Sequence, residues 1–371
     1  MFLRFSHKKR ELLGRARRTR CLWFKALGLT WPVLAWLGHL PAQAAEPAVY
    51  RREAQVFAAD MAVKNGFDRA AVAKLLARAR YRQDIVDAMR RPHEGKPWSL
   101  YRPIFLTQAR IEGGLAFWQT HADLLERAER EYGVPAEVIV AIIGVETGYG
   151  GNLGRHKVID ALTTLGFAYP PRAEFFRGEL ESFLLLAREE AIDAGTAKGS
   201  YAGALGKPQF IPSSYRAFAV DFDGDGRRDL WRSDADVIGS VANFLRLHGW
   251  RPGEPVASPA VLTPEAHAAV GTASIPTARK EPVSPSMPVA ELSRRGVAAT
   301  EAMDPAAPAA LLALDGPEDE FWIAFNNFYV ITRYNRSNLY AMAVHQLGRE
   351  IKALYLATES RQAAANKGGA G

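Results

Sequence analysis

Cysteine is almost missing from this chain of 371 residues: Cys21 stands alone. It falls in an N-terminal leader, so removal of residues 1–44 would leave no disulfide and no thiol chemistry. Excess positive charge is also missing where it would matter. The formal net charge is +7, but residues 1–44 carry nine Lys or Arg against Glu11 alone, a net of +8. The remainder holds 38 basic and 39 acidic residues, a net of −1, which gives no support to nucleic-acid binding. A long unbroken apolar run is absent too. The stretch from Cys21 to Leu40 is interrupted by Lys25, Trp31-Pro32 and Gly38, which argues against a stable membrane-spanning helix.

What the leader does have is a basic start, that interrupted apolar stretch, and Ala42-Gln43-Ala44 as an A-x-A cleavage site. It reads as a cleaved secretory signal rather than an anchor, with a mature chain starting at Ala45 and leaving the cytoplasm. Arg17-Arg18 is weak as a twin-arginine signal among so many arginines, and Cys21 precedes the apolar run, where it is poorly placed for lipidation.

The organising stretch is Pro-Ala-Glu-Val-Ile-Val-Ala-Ile-Ile-Gly-Val at positions 135–145, followed by Glu146. It is apolar on nearly every side, so periodicity alone does not separate buried helix from buried strand. Pro135, suited to the first helical position, and Glu137 in the first turn decide for helix. Gly148, Gly150 and Gly151 terminate it. Glu146 is thereby left at the end of a buried element, facing a glycine loop. Partial desolvation there would raise its pKa toward that of a general acid; a structural glutamate capping the loop or pairing with an arginine is the alternative.

Short helices are expected over residues 49–91, with Phe57 and Met61 paired and Asp68 as a cap, followed by an Arg91-Pro92-His93-Glu94-Gly95 loop. One long helix is expected over 114–132, and another over 179–191. Tyr169-Pro170-Pro171-Arg172 reads as a rigid turn presenting Arg172. The segment 199–215 combines glycines and prolines with Ser200, Gln209, Ser213 and the rings of Tyr201, Phe210 and Tyr215. Close backbone approach, amide hydrogen bonding and flat apolar faces suit N-acetylated sugars, although a purely structural loop has the same composition. Residues 251–317 are rich in Ala, Pro, Ser and Thr, with short strand candidates at 260–262 and 288–290, and read as a small irregular or β insertion. Core character returns at 321–347, where Ser337 can cap a helix bearing Tyr340; the tail beyond Ser360 is expected to fray.

Asp221-Phe222-Asp223-Gly224-Asp225-Gly226-Arg227-Arg228-Asp229 has the spacing of a calcium loop. Asp221, Asp223 and Asp225 stand at positions 1, 3 and 5, glycine at 6, Arg227 at 7 and Asp229 at 9. Position 12 is Arg232 rather than Glu, leaving Asp234 or Asp236 to close the shell. An Asp-Gly turn without an ion is the competing reading. Because the loop does not overlap Glu146, a bound Ca2+ would be structural.

Several segments together resemble the membrane-bound lytic murein transglycosylase B family, the lysozyme-like glycoside hydrolase family 103. They are Ile142-Ile143-Gly144-Val145-Glu146-Thr147, Asp160-Ala161-Leu162-Thr163-Thr164-Leu165, Arg172-Ala173-Glu174-Phe175-Phe176, residues 200–215, the Asp221 loop with Gly239-Ser240-Val241-Ala242-Asn243, and Ile331-Thr332-Arg333-Tyr334-Asn335. The resemblance implies a mainly α fold between the signal 1–44 and the flexible tail 361–371 read above: helical N-terminal domain 45–125, lysozyme-like core 126–250 with an EF-hand-like loop at 221–236, β-containing insertion 251–320 and a return to the core at 321–360. Glu146 falls on the family's catalytic glutamate. Gln209, Phe210, Tyr334 and Tyr340 resemble its glycan-contacting positions, with Tyr101, Arg172, Ser200 and Ser213 as further candidates. Ile211 stands where the family often has Met, and the lipobox of its lipoprotein members is absent.

An ordinary glycosidase needs two carboxylates, and no second acid lies at a suitable helical spacing from Glu146. The resemblance implies instead that the sugar's N-acetyl group assists departure while Glu146 serves as acid and then base, closing a 1,6-anhydro ring. The implied partners are peptidoglycan strands and cell-wall enzyme complexes, for a monomeric periplasmic protein of a Gram-negative bacterium, at most peripherally membrane-associated and without an organic cofactor. A hydrolytic muramidase on the same core and a non-catalytic wall-binding protein are the alternatives.

Overall fold

The computed structural model describes residues 48–90, 96–271, 277–282, 284–316 and 318–368. The leader with its Ala42-Gln43-Ala44 site and the loop at 91–95 lie outside the described residues. The N-terminal part consists of α1 (Ala48–Asn65), α2 (Arg69–Leu76), α3 (Gln83–Met89) and α4 (Trp98–Phe105). Asp68 caps α2 by accepting a hydrogen bond from the Ala70 amide, and Phe57 and Met61 are both buried.

The helix expected over 114–132 is two helices, α5 (Gln108–Thr120) and α6 (Ala122–Tyr132), broken at His121. His121 leaves helical geometry at φ −121°, ψ 27°, its ring packing on Phe117 and facing the Asp234 carboxylate at 3.5 Å. Tertiary contacts made by that ring accompany a break that periodicity did not reveal.

Next comes α7 (Ala136–Thr147), whose two glutamates, Glu137 and Glu146, are its only residues that escape burial. A helix apolar all round has to be surrounded, and α7 is packed by α5, α6, α11 (Asp234–Leu247) and α15 (Asn338–Gly368). Pro135 is the N-cap rather than the first helical residue. The other end closes as expected, with Gly148 left-handed at φ 58° and its amide donating to the Gly144 carbonyl.

Around this axis lie α8 (Val158–Ala168), α9 (Ala173–Glu189) and α10 (Pro212–Phe218), with β1 (His156–Lys157) and β2 (Lys198–Gly199) forming a two-residue antiparallel pair. The α9 helix starts earlier than residue 179, because the 3-10 turn Pro170–Arg172 feeds directly into it.

The insertion has its own core, built on Val289, Leu292, Val297, Leu311, Ile323 and Phe325. It contains β3 (Ala257–Leu262), α12 (Pro264–Ala268), β4 (Thr277–Ala278), β5 (Met287–Pro288), α13 (Val289–Arg294), β6 (Val297–Ala299), β7 (Pro308–Leu314) and β8 (Glu320–Ala324). The sheet order is β4-β7-β8-β3-β6, with β5 also on β7; β4 and β7 are parallel and the other pairs antiparallel. The strand expected at 288–290 ends at Pro288, beyond which the chain turns into α13. After β8, α14 (Asn326–Ile331) returns the chain to α15, which stays helical through Gly368 rather than fraying at Ser360.

Candidate functional site

Glu146 occupies the last turn of α7, partly exposed beside the glycine loop. Its backbone position is fixed by close approach rather than by charge. Tyr149, itself left-handed at φ 62°, folds back so that its ring fills the gap between α5 and α7, and its hydroxyl donates to the Arg110 carbonyl at 2.8 Å. A Cβ at Gly144 would meet that hydroxyl oxygen at 2.5 Å, so glycine is required there. Burial pushes the Tyr149 pKa up, keeping the phenol a donor.

The Glu146 carboxylate accepts a 2.6 Å hydrogen bond from the Tyr340 hydroxyl in the first turn of α15. Ser337 caps that turn through the Tyr340 amide. Tyr340 lies parallel to Tyr334, centroids 6.3 Å apart, and Tyr334 donates to the Pro208 carbonyl at 2.6 Å. Both phenols are driven well above their ordinary pKa by burial first and then by the Glu146 charge, so both remain protonated donors. Phe210 and Phe244 continue the aromatic stack behind Tyr334.

Gln209 sits at φ 51°, its side-chain NH2 donating to the Gly206 carbonyl at 2.9 Å and reaching the Leu153 carbonyl at 3.5 Å. That arrangement uses the amide donors and leaves its oxygen as the acceptor. Ser200 closes its own turn by accepting from the Ala202 and Ala204 amides. Ser213 is bound twice to buried Glu179, through its amide at 2.9 Å and its hydroxyl at 2.6 Å. Arg172 is exposed, its guanidinium 4.4 Å from the Phe175 ring centre and 5.1 Å from that of Phe176.

Tyr101, Phe210 and Tyr340 are each only 2 % exposed. This corrects the picture of open platforms for sugar rings: their faces are covered by neighbouring aromatics, and they form the wall behind the site. Tyr334 is the ring of the set that keeps partial exposure.

In the acidic loop, carboxylate oxygens of Asp221, Asp223 and Asp236 converge within 4.8 Å. Asp225 and Asp229 stand outside that set and accept backbone hydrogen bonds: Asp225 from the Arg227 amide, and Asp229 from those of Trp231 and Arg232. Asp234 does not close the shell, because it pairs with Lys207 at 2.6 Å. Asp236 does approach, bridging the Phe222 and Asp229 amides. Burial, followed by the nearby Asp223 charge, raises the Asp236 pKa. At Asp221 burial pushes upward, but hydrogen bonds from the Gly226, Gly224 and Asp225 amides outweigh it and the net shift is downward. Three hard oxygen donors brought together on glycine turns fit a calcium ion by donor type.

Residues 50–349 match the family model described as Transglycosylase SLT domain. The chain is 43% identical over 310 residues to membrane-bound lytic murein transglycosylase B of Escherichia coli K12, covering 80% of this chain and 82% of that one. It also resembles the soluble lytic transglycosylase SltB1 of Pseudomonas aeruginosa, at 48% identity and a TM-score of 0.74 over 81% of this chain and 99% of that one. The Escherichia coli lytic transglycosylase Slt35, solved in complex with calcium, matches at 41% identity and a TM-score of 0.74, over 82% of this chain and 93% of that one.

The chain belongs to the SLT-domain transglycosylase family. Its fold is accordingly mainly α, a lysozyme-like core with a small β-containing insertion. Among the described residues no helix is long and apolar enough to cross a membrane. Three residues of this family member's site were not anticipated from the sequence. Tyr149 was counted only as part of a glycine loop, although a tyrosine set among four glycines in seven positions was the available signal. Glu179, in the sequence only the start of an expected helix, is buried under Ser213. Lys207, which ties the Gln209 loop to Asp234, had no local signal.

Proposed function

We propose that this transglycosylase cleaves the β-1,4 bond between N-acetylmuramic acid and N-acetylglucosamine in peptidoglycan, leaving 1,6-anhydro ends. The observation that carries the reading is Glu146 itself: a partly exposed carboxyl at the end of a buried helix, hydrogen-bonded by the Tyr340 hydroxyl, and the carboxylate whose charge bears on both Tyr334 and Tyr340. Protonated Glu146 gives its proton to the glycosidic oxygen as the bond to C1 breaks, and the substrate's acetamido oxygen supports C1. The resulting carboxylate then takes the proton of the sugar's 6-hydroxyl, whose oxygen bonds to C1 and closes the anhydro ring, so Glu146 ends protonated again. Tyr340 keeps the carboxylate aimed through both steps.

The Gln209 oxygen, not used by the bonds of its NH2, accepts from the acetamido N–H, and Tyr334 offers the partly open ring. Tyr101, Phe210 and Tyr340 support that surface from behind, while Ser200 and Ser213 shape its loops. Arg172 on its Phe175 platform suits a more distant part of the strand. At the acidic loop, Asp221, Asp223 and Asp236, with a carbonyl near Arg227, would hold Ca2+, which would supply a structural tie between α10 and α11. Asp225 and Asp229 serve that loop through its backbone turns. The basic leader with its Ala42-Gln43-Ala44 site supports export to the periplasm of a Gram-negative bacterium.

Mass analysis of products from purified peptidoglycan tests the reaction. Fragments ending in an anhydro ring, lighter by one water than reducing ends, are expected; exclusively reducing ends would make the enzyme a hydrolase. Glu146→Gln keeps the shape but cannot cycle a proton, so turnover should fall by roughly 10²-fold or more with strand binding retained. Near-normal turnover by folded Glu146→Gln protein would remove Glu146 from the mechanism.

A further inference from the structure

A cavity of about 600 Å³ lies behind the Gln209 loop, walled by Leu153–Gly154, the 190–198 connection, Tyr215 and the 227–232 segment. It adjoins the candidate site. The Gln209 side chain reaches the Leu153 carbonyl, and Lys198 lies two residues before Ser200. Gly154 presses on the Gly199 backbone so closely that an added Cβ would lie 2.1 Å from the Gly199 carbonyl oxygen. Backbone therefore separates the two spaces at this point.

The charges lining this cavity are unequally employed. Its acids are engaged: Glu190 binds Arg228, Asp229 accepts the Trp231 and Arg232 amides, and Asp193 accepts the Gly195 amide and the Thr196 hydroxyl. By contrast, Arg227, Arg232 and Lys198 are exposed and have no acidic partner among the described residues. Trp231 adds a flat apolar wall, tied to the Lys198 carbonyl by its indole N–H at 3.4 Å. Unpaired cations beside an aromatic face, in a volume suited to a few residues, match a short peptide carrying free carboxylates.

We propose that this cavity binds the acidic peptide stem of the glycan strand whose sugars lie in the adjoining Glu146 site. The assignment rests on the peptidoglycan reading above. Lys198 and Arg232 grip stem carboxylates, and the Trp231 face takes the peptide's aliphatic part. The cavity thereby sets preference for peptide-bearing over peptide-free strands without touching the reacting atoms.

Two measurements on the full mature protein test this. A synthetic peptide of the stem sequence, and the same peptide with every carboxylate amidated, are titrated into wild-type and Lys198→Ala/Arg232→Ala protein. The free-acid form should bind wild type about tenfold more tightly than the amidated form, and the double variant should lose that difference. Cleavage kinetics should show the variant's KM rising about tenfold on peptide-bearing strands, with peptide-free strands unaffected. Equal binding of the two peptides by wild type, displacement by inorganic phosphate at comparable concentration, or equal KM changes on both strand types would overturn the assignment. Lys198→Glu/Arg232→Glu provides the stronger perturbation and should abolish free-acid binding. Failure of wild type to cleave either strand would refute the reaction rather than the cavity, which the titration reads independently.

Discussion

The chain brings carboxylates to two glycine-rich places and secures them by opposite means. At the end of α7 the surroundings do the positioning: every residue of the helix except its two glutamates is buried, and the Tyr340 hydroxyl from a distant helix binds Glu146. In the acidic loop residues 223–227 are all exposed, and the carboxylates are held by the loop's own amides, with Asp221 alone accepting from Gly224, Asp225 and Gly226. Packing from outside makes a rigid site that tolerates little change in volume. Local hydrogen bonding makes a site that keeps its shape cheaply but crowds like charges, a cost that a cation removes.

If that contrast is right, the largest effect short of removing Glu146 comes from a change without charge. Gly144→Ala puts a methyl group against the locked Tyr149 ring and should destabilise the protein by about 3 kcal/mol, the upper range for overpacking. Gly224→Ala meets no atom within 4 Å and should act through its left-handed backbone alone. Denaturant titrations of both variants measure the difference; equal losses would erase the distinction between packed and self-supported sites.

The loop should respond to an ion where the helix end does not. Calcium at a hundred times its dissociation constant should stabilise the folded protein by about 2.7 kcal/mol through linkage. Chelation should lower the melting temperature and added calcium restore it. Asp221→Ala and Asp236→Ala should abolish the response, and Glu146→Gln should retain it. Identical melts with and without calcium, and no heat in a titration of metal-stripped protein, would leave an Asp-Gly turn that needs no ion.

A smaller effect is expected at the Tyr340 hydroxyl that binds Glu146. Tyr340→Phe keeps the ring and its parallel contact with Tyr334 but removes the donor, and turnover should fall about tenfold, roughly 1.4 kcal/mol in the barrier. Unchanged melting alongside that loss would identify aiming rather than folding as the role of the hydroxyl. Wild-type turnover would mean that the Glu146 carboxyl is oriented without that hydroxyl.

The same contrast explains what could be read in advance. The acidic loop was legible as a nine-residue pattern because its geometry is made locally, and the glycines after Glu146 marked the helix end for the same reason. Asp236, fifteen positions after Asp221, could only be offered beside Asp234 as an alternative, since Lys207 claims Asp234 through a tertiary contact. The helix break at His121 and the burial of Tyr101, Phe210 and Tyr340 likewise depend on partners far away in sequence. Family resemblance located the positions of those rings, but it did not say which faces would be covered.

His345, one turn beyond Tyr340 on α15, extends the packed side of the comparison to a group with no assigned chemistry. Its Nε2 is buried without a hydrogen-bond partner among the described residues, and the ring meets Trp322 of the insertion edge-on at 5.7 Å. Burial first, and the Arg349 charge second, pull its pKa from 6.5 down to about 4. In the folded protein the ring therefore stays neutral until pH nears 4, whereas in the unfolded chain it takes up a proton near 6.5. The unfolded state binds more protons between those values, so stability must fall as pH drops, by about 1 kcal/mol between pH 6.5 and 5.5, with the loss complete below about pH 4. His345→Gln should remove this part of the pH dependence while leaving the calcium response intact. Denaturant titrations at pH 6.5 and 5.5 provide the measurement, and the same slope in wild type and variant would show that this histidine is not the group being protonated.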